Sequence, residues 1–489
     1  MERNNGRPQK RSRESLSPER SPPKSPPRKR PGASSRIGAD ARRAAEQRRQ
    51  QREEEERKAI ASRTNDDLVS AHYNAVPERG RDWRKTDSQI RGLRSLNNWV
   101  KSTIIQKFSR PDVPTPNLLV LDIGCGKGGD LQKWQSAPQR PALYVGVDPA
   151  EVSIDQARSR YQEMTRRNRG PRGRPPQLFE GHFFVQDCFG KSLGGIPIIR
   201  DVGFDPNAGP DANGNITGRF MQGGFDVISM MFCLHYSFET EEKAKGMLKN
   251  IAGALKKGGR FLGVMPNSDV ITARVERHFK NAASSKKAEE DNDNRDPEKP
   301  AATDDGDDWD PEKPATANDD DDWDPEKPST VKEDDWDPEK PSGADDDAWD
   351  PEASLEKTPV AATPAAELPP LQWGNNIYTV KFPQTRPLPT DGIFRPPYGW
   401  KYFYYLEEAV DVPEYVVPWE GFRALAEDYG LELQYRKPFN EVWEEEKDDP
   451  ILGPLSMRMN VVGRDGRMNV SPEEMEAASF YHAFCFYKI

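Results

Sequence analysis

The chain has 489 residues, 45 of them proline and only 34% hydrophobic, with a formal net charge of −10 and a mean hydropathy of −0.92. A fully folded chain of that length would carry more apolar side chain, so part of it is expected to stay unstructured. Four scattered cysteines (Cys125, Cys188, Cys233, Cys485) with no CxxC pair argue against a zinc site or disulfide framework, and no apolar run reaches the ~18 residues of a membrane span.

Charge divides the chain. Residues 1–60 hold 18 basic and 9 acidic side chains, a net of +9, whereas Glu289 to Glu352 holds 28 acidic and 6 basic, a net of −22. Everything outside that window therefore sums to +12, which is −10 minus −22. The pI of 5.4 averages over a basic tail, a near-neutral body and an acidic tract. Residues 1–65, rich in Arg, Ser and Pro, are expected to be a disordered arm suited to an anionic partner such as nucleic acid. Its Ser-Pro pairs (Ser17, Ser21, Ser25) could take phosphate, and PPRKRP fits a nuclear import signal. With no apolar core the arm is not a secretory signal, so a soluble intracellular chain in a reducing compartment is expected.

From Ser88 the pattern changes. Ile90, Leu93, Leu96, Val100, Ile104 and Phe108 recur at steps of three and four, which predicts an amphipathic helix. Then NLLVLDIG, ALYVGVD, HFFVQD, FDVISMMF and RFLGVMP read as strands, with helical stretches such as DLQKWQ and EEKAKGMLKNIAGAL between them. Strands alternating with helices predict an α/β fold with a mostly parallel sheet, whose ligand site lies beyond the carboxyl ends of the strands. DDWDPEKP then occurs three times, at 307–314, 321–328 and 334–341, with a decayed AWDPE at 348–352. So short a period, proline-rich and almost without aliphatic residues, cannot stack into a core, and residues 283–368 are expected to be a disordered insertion. It would serve as a docking array, an acidic brush, or a tolerated expansion. Ordered sequence resumes at 369, through YFYYLEEAVDVPEYVV and a helix near Trp419, to the aromatic strand ASFYHAFCFYKI. The folded parts are thus 66–282 and 369–489.

Gly124, Gly126 and Gly129 satisfy GxGxxG, a turn that lets backbone approach any nucleoside-bearing cofactor. Asp122 precedes it, Asp148 closes the second strand where it can accept from ribose hydroxyls, and Asp187 closes the third, placed to read an adenine amine. Together these fit an S-adenosylmethionine fold better than a nicotinamide one.

The stretches HYN at 72–74, LNNWVKSTII, VLDIGCGKGGDLQKW, VDPAEVSIDQARSRY, HYSFE, NIYTVKF and DVPEY occur in that order. They resemble the messenger RNA cap guanine-N7 methyltransferase family, in its fungal type, over about residues 70–280 and 372–489; the acidic repeats are an addition. The resemblance implies a class I methyltransferase fold, Rossmann-like, with a seven-stranded mostly parallel sheet. It implies that Lys101, Gly124, Asp148, Asp187, Met231 and Tyr236 hold S-adenosylmethionine. It implies that Asn97, Asn98, His235, Glu414 and Tyr481 hold the cap guanosine, that Phe232 packs on its pocket, and that Lys127, Lys133 and Arg160 lie near the triphosphate. Met231 stands where relatives can carry Gln, and DGIFRPPYGW before Lys401 is longer than the family pattern. Implied partners are 5′-capped RNA, separate capping enzymes (the chain has no KxDG lysine motif) and the phosphorylated tail of RNA polymerase II, with a monomeric chain in the nucleus.

The residues suit this reaction. Guanine N7 has an in-plane lone pair and no proton to lose, so no catalytic acid, base, nucleophile or metal is expected, only positioning and charge. Two alternatives stay open: a methyltransferase for another substrate, and a nuclear RNA-processing scaffold on an inactive methyltransferase fold.

Overall fold

The computed structural model describes residues 65–76, 83, 87–110, 117–167, 178–210, 223–293 and 369–489. The basic arm and the acidic repeats lie outside them. The first helix, α1 (Asn65–Ala75), is followed by α2 (Arg91–Phe108). The apolar periodicity read in the sequence is the buried stripe of α2: Leu93, Leu96, Val100 and Ile104 are fully buried, a transfer of about 1.5–3 kcal/mol for each side chain. Its start is fastened by Glu474, whose Oε1 accepts the Leu93 N–H at 3.0 Å. That same Glu474 completes a capping box with Ser471 at the head of a later helix.

The central elements then alternate: β1 (Leu118–Ile123), α3 (Leu131–Gln135), β2 (Pro141–Asp148), α4 (Glu151–Arg167), β3 (Glu180–Val185), α5 (Pro197–Gly203), β4 (Phe225–Met231), α6 (Glu241–Ala254) and β5 (Leu255–Pro266). A 3-10 turn, Leu234–Glu239, separates β4 from α6. Next, α7 (Ser268–Asp293) runs straight through position 283, where the insertion is expected to begin. After the repeats come β6 (Gln372–Gly374), β7 (Tyr378–Lys381), β8 (Lys401–Leu406), β9 (Val410–Tyr415), α8 (Trp419–Asp428), β10 (Leu431–Pro438), α9 (Phe439–Glu446), α10 (Leu452–Arg458), α11 (Pro472–Ser479) and β11 (Tyr481–Lys488).

Two sheets result. The larger has seven strands in the order β10-β11-β5-β4-β1-β2-β3. It is the class I sheet expected from the sequence: β3, β2, β1, β4 and β5 pair in parallel, while β11 enters antiparallel between β5 and β10. β4 is buried along its whole length, as a strand covered on both faces must be. The smaller sheet is an antiparallel run β6-β7-β8-β9. In β8 the residues alternate, with Tyr402, Tyr404 and Leu406 buried and Phe403 and Tyr405 exposed, so one face packs inward. Register sets buried Tyr402 opposite Glu414.

Candidate active site

Strand order reverses between β1 and β4, and in an open α/β sheet the crevice at the carboxyl ends of those two strands is where ligands bind. The glycine turn leaves β1 and the aromatic turn leaves β4 at that point. They touch: a Cβ on Gly124 would lie 2.5 Å from the Cys233 sulfur. Gly124, Gly126 and Gly128 take positive φ (70°, 51° and 68°), a set that includes Gly128 rather than the Gly129 of the GxGxxG pattern. Above Gly126 the space a Cβ would occupy is open. Asp148, at the end of β2, accepts the Gly126 and Ala150 N–H groups, each at 2.9 Å. Burial raises its carboxyl above the usual range, against those two N–H bonds. Open space over a left-handed turn beside a strand-end carboxylate is a cradle that fits an adenosine moiety.

Asp187 stands two residues past the end of β3 rather than on the strand, and its Oδ1 accepts the Phe189 and Gly190 N–H groups at 2.9 and 2.8 Å. Asp122 is a structural group. It receives the Tyr144 hydroxyl of β2 and the Ser229 hydroxyl of β4, each at 2.6 Å, which knits three strands together. Burial first, then the nearby Asp130 charge, raises its carboxyl well above the usual carboxylate range.

Cations gather around Asp130, just ahead of α3. Lys101 from α2 and Lys133 from α3 each lie 2.8 Å from its carboxylate. Burial alone would raise Asp130, but these two ammonium groups outweigh it and hold the carboxyl far below its ordinary value. Lys133 also donates to Asn98 Oδ1 at 2.8 Å and to the Gly129 carbonyl at 3.2 Å. Burial lowers its own pKa, helped by the positive charges of Lys101 and Arg160. Lys127 donates to the Val76 carbonyl at 3.0 Å, just beyond α1. Asn97 keeps a buried Oδ1 without a hydrogen-bond partner.

The third group is aromatic and acidic. Met231 is the buried last residue of β4. Phe232 comes next with φ +64°, left-handed backbone that costs a side-chain-bearing residue about 1–2 kcal/mol. Its ring meets Tyr481 edge-on at 4.9 Å, and Lys101 Nζ lies 5.7 Å from its centroid. His235 is 1% exposed and Glu414 3%. Their side chains come within 3.3 Å, Nε2 to Oε1, yet both imidazole nitrogens lack a hydrogen bond. The other Glu414 oxygen accepts the Tyr402 hydroxyl at 2.8 Å. The Tyr236 ring lies beside that of His235, tilted by 47° with centroids 4.3 Å apart, and its hydroxyl is 3.1 Å from that of Tyr73.

That last contact belongs to α1, which straps the mouth of the crevice. Asn65 donates to Glu239 and Tyr415 and accepts from Lys401 Nζ at 3.0 Å, while Asn74 accepts the Val152 N–H of α4 at 3.1 Å. The sequence reading gave Asp130, Tyr402 and Tyr73 no role, although Tyr73 lies in HYN and Asp130 in VLDIGCGKGGDLQKW. The period-two pattern of KYFYYL was a signal for Tyr402; for Asp130 the only signal was an acid at the head of a helix between two lysines.

The profile of the mRNA (guanine-N(7))-methyltransferase domain matches residues 55–293 and 360–489. An mRNA cap guanine-N(7) methyltransferase from Aspergillus fumigatus is 49% identical over 94% of this chain, which spans 63% of that relative's length. One from Pyricularia oryzae is 50% identical over 94% of this chain and 85% of its own. One from Schizosaccharomyces pombe is 36% identical over 86% and 82%. A solved S-adenosylmethionine-dependent methyltransferase from Clostridium acetobutylicum covers 83% of this chain and 96% of its own at 8% identity and a TM-score of 0.31, too low to bear on the fold.

Proposed function

The chain belongs to the mRNA (guanine-N(7))-methyltransferase family, and on that premise we infer that it methylates N7 of the 5′-terminal guanosine of GpppN-capped messenger RNA. Its cofactor is S-adenosylmethionine, which when bound supplies an electrophilic methyl on a sulfonium. The observation that carries the substrate assignment is the buried Glu414–His235 pair, with both imidazole nitrogens unsatisfied at the strand-order reversal. Buried polar groups without partners call for a guest that completes them.

The chain's residues then divide the work. Gly124, Asp148 and Asp187 hold the nucleoside of the cofactor, with Lys101, Met231 and Tyr236 lining its other side. Glu414 accepts the guanine N1–H and N2–H, a pair of donors that adenine lacks. Its negative charge also favours the positive charge that grows on the ring as N7 takes the methyl. His235 donates toward O6, and Phe232 and Tyr481 pack on the purine with Asn97 and Asn98 at its edge. Lys127, Lys133 and Arg160 face the triphosphate. N7 carries no proton, so nothing need remove one, and holding it in line with the methyl is worth on the order of several kcal/mol.

Among the described residues no helix is long and apolar enough to cross a membrane. Messenger RNA processing is nuclear work, so the nucleus is the proposed location, with capped RNA as substrate and RNA polymerase II and other capping enzymes as proposed partners. The test is transfer of labelled methyl to GpppA-capped RNA, with ApppA-capped RNA as control. The expected preference is on the order of 10⁴-fold, because adenine leaves buried acceptors unpaired. Equal labelling of both would refute the guanine reading, and labelling of neither would favour an inactive scaffold.

A further inference from the structure

Methyl transfer to the cap engages only a guanosine and a triphosphate, yet the substrate is a polymer whose phosphates must run on somewhere. The flank of α2 next to the triphosphate cations gives the direction. Asn98 accepts from Lys133 at 2.8 Å. One turn further along, the Ser102 hydroxyl donates to the Asn98 carbonyl at 2.9 Å and lies 3.7 Å from Met459 Sδ. Trp99 Nε1 donates to the Leu452 carbonyl at 2.9 Å, so α10 is seated along this same flank. Arg91, seven residues before Asn98, shares its face of the helix and is exposed.

Beyond α10 the chain forms a tight hairpin. Val462 pairs with Met468, the Gly463 N–H donates to the Arg467 carbonyl at 2.7 Å, and Gly466 turns the chain at φ +78°. Asn469 joins it to Asn460 at the end of α10 through a 3.1 Å side-chain bond. The hairpin displays Arg464 and Arg467, and α10 ends on Arg458; all three are exposed. Residues 452–470 contain three arginines and one acid, Asp465, a net of +2 in a chain whose total is −10. Asp465 approaches Arg467 only at 4.0 Å, with both side chains more than half exposed, a pair of little energetic weight. The planar fork of arginine suits phosphate oxygens.

We propose that Arg458, Arg464 and Arg467, continued by Arg91 on α2, form a phosphate track for the single-stranded RNA that leads away from the cap. The idea rests on the cap-methyltransferase reading of the site, and it extends the cation row of Lys133 onto the outer surface. None of these arginines touches the pocket, so their removal acts on RNA length and not on chemistry.

The test replaces the three arginines of α10 and the hairpin (Arg458→Ala, Arg464→Ala, Arg467→Ala) in the full chain and compares two acceptors, the cap dinucleotide GpppG and a GpppG-capped oligoribonucleotide. The expected result is KM for the capped oligomer raised about tenfold or more, with KM and kcat for GpppG unchanged. The slope of log KM for the oligomer against log salt should fall by about 2, from roughly 0.7 per lost single-strand phosphate contact. A triple Arg→Lys variant should restore most of the oligomer affinity, since charge is kept; a merely structural role would not be rescued so. Equal loss for both acceptors, or no loss for the oligomer, overturns the track. If the unsubstituted protein methylates neither acceptor, it is the cap reading itself that fails.

Discussion

Glu414 is a carboxylate 3% exposed, with one oxygen held by Tyr402 and the other facing an imidazole it does not hydrogen-bond. Such an arrangement is costly in an empty pocket and favourable once two N–H donors arrive. Glu414→Gln keeps the shape but replaces one acceptor by a donor. Its expected effect is a fall in kcat/KM on capped RNA of about 10²–10³-fold, with cofactor affinity nearly unchanged, measured by steady-state kinetics and calorimetry. An equal loss of cofactor affinity would show that this carboxylate serves the wrong ligand. Sequence made such residues unequally legible. Asp148 and the glycines emerge from a strand–turn–helix pattern with a physical rationale. Glu414 was reached only through the resemblance, since an acid in a short strand normally faces water. The left-handed backbone at Phe232 was invisible, because no local signal announces strain in a residue that bears a side chain.

At the scale of elements, α2 was readable because its burial follows a local period, as were the five parallel strands bounded by turn residues and acids. The placement of β11 between β5 and β10 was not, since that pairing joins residues far apart in sequence. The second sheet pairs strands that are neighbours in sequence, and it was unread for another reason: its strands are only three to six residues long, too short for a clear period. β11 also carries a titration that pairing explains. His482 is fully buried; its Nδ1 accepts from Arg436 Nε of β10 at 2.9 Å, its ring meets Trp419 edge-on at 5.0 Å, and Arg436 reaches on to Asp269. Burial, then the Arg436 charge, holds the imidazole well below its ordinary pKa, and so neutral. Below about pH 6.5 the unfolded chain takes up a proton that the folded one refuses, so stability falls as pH falls, by up to about 1.4 kcal/mol per pH unit from this group. His482→Gln should remove that share of the slope. Urea denaturation at pH 6.5 and 5.5 checks it, and identical slopes in the two proteins would contradict it.

For the whole molecule, the folded unit is assembled from both sides of the acidic tract: Phe232 and His235 precede it, Glu414 and Tyr481 come after it. The family match itself omits 294–359, between its two matched segments. Replacing residues 294–368 by a short Gly/Ser linker, with α7 kept to Asp293, should therefore leave kcat on GpppG within about twofold, since none of the proposed pocket residues is removed. A collapse of activity would mean that the tract contributes to the pocket. The claim on which most depends is that these two halves pin one purine, and a structure of the protein with cap guanosine and S-adenosylhomocysteine tests it most directly. The expected result is a Glu414 carboxylate about 3 Å from guanine N1 and N2, with N7 turned toward the cofactor sulfur. Glu414 turned away from the purine, or N7 facing Lys133 instead of the sulfur, would contradict it.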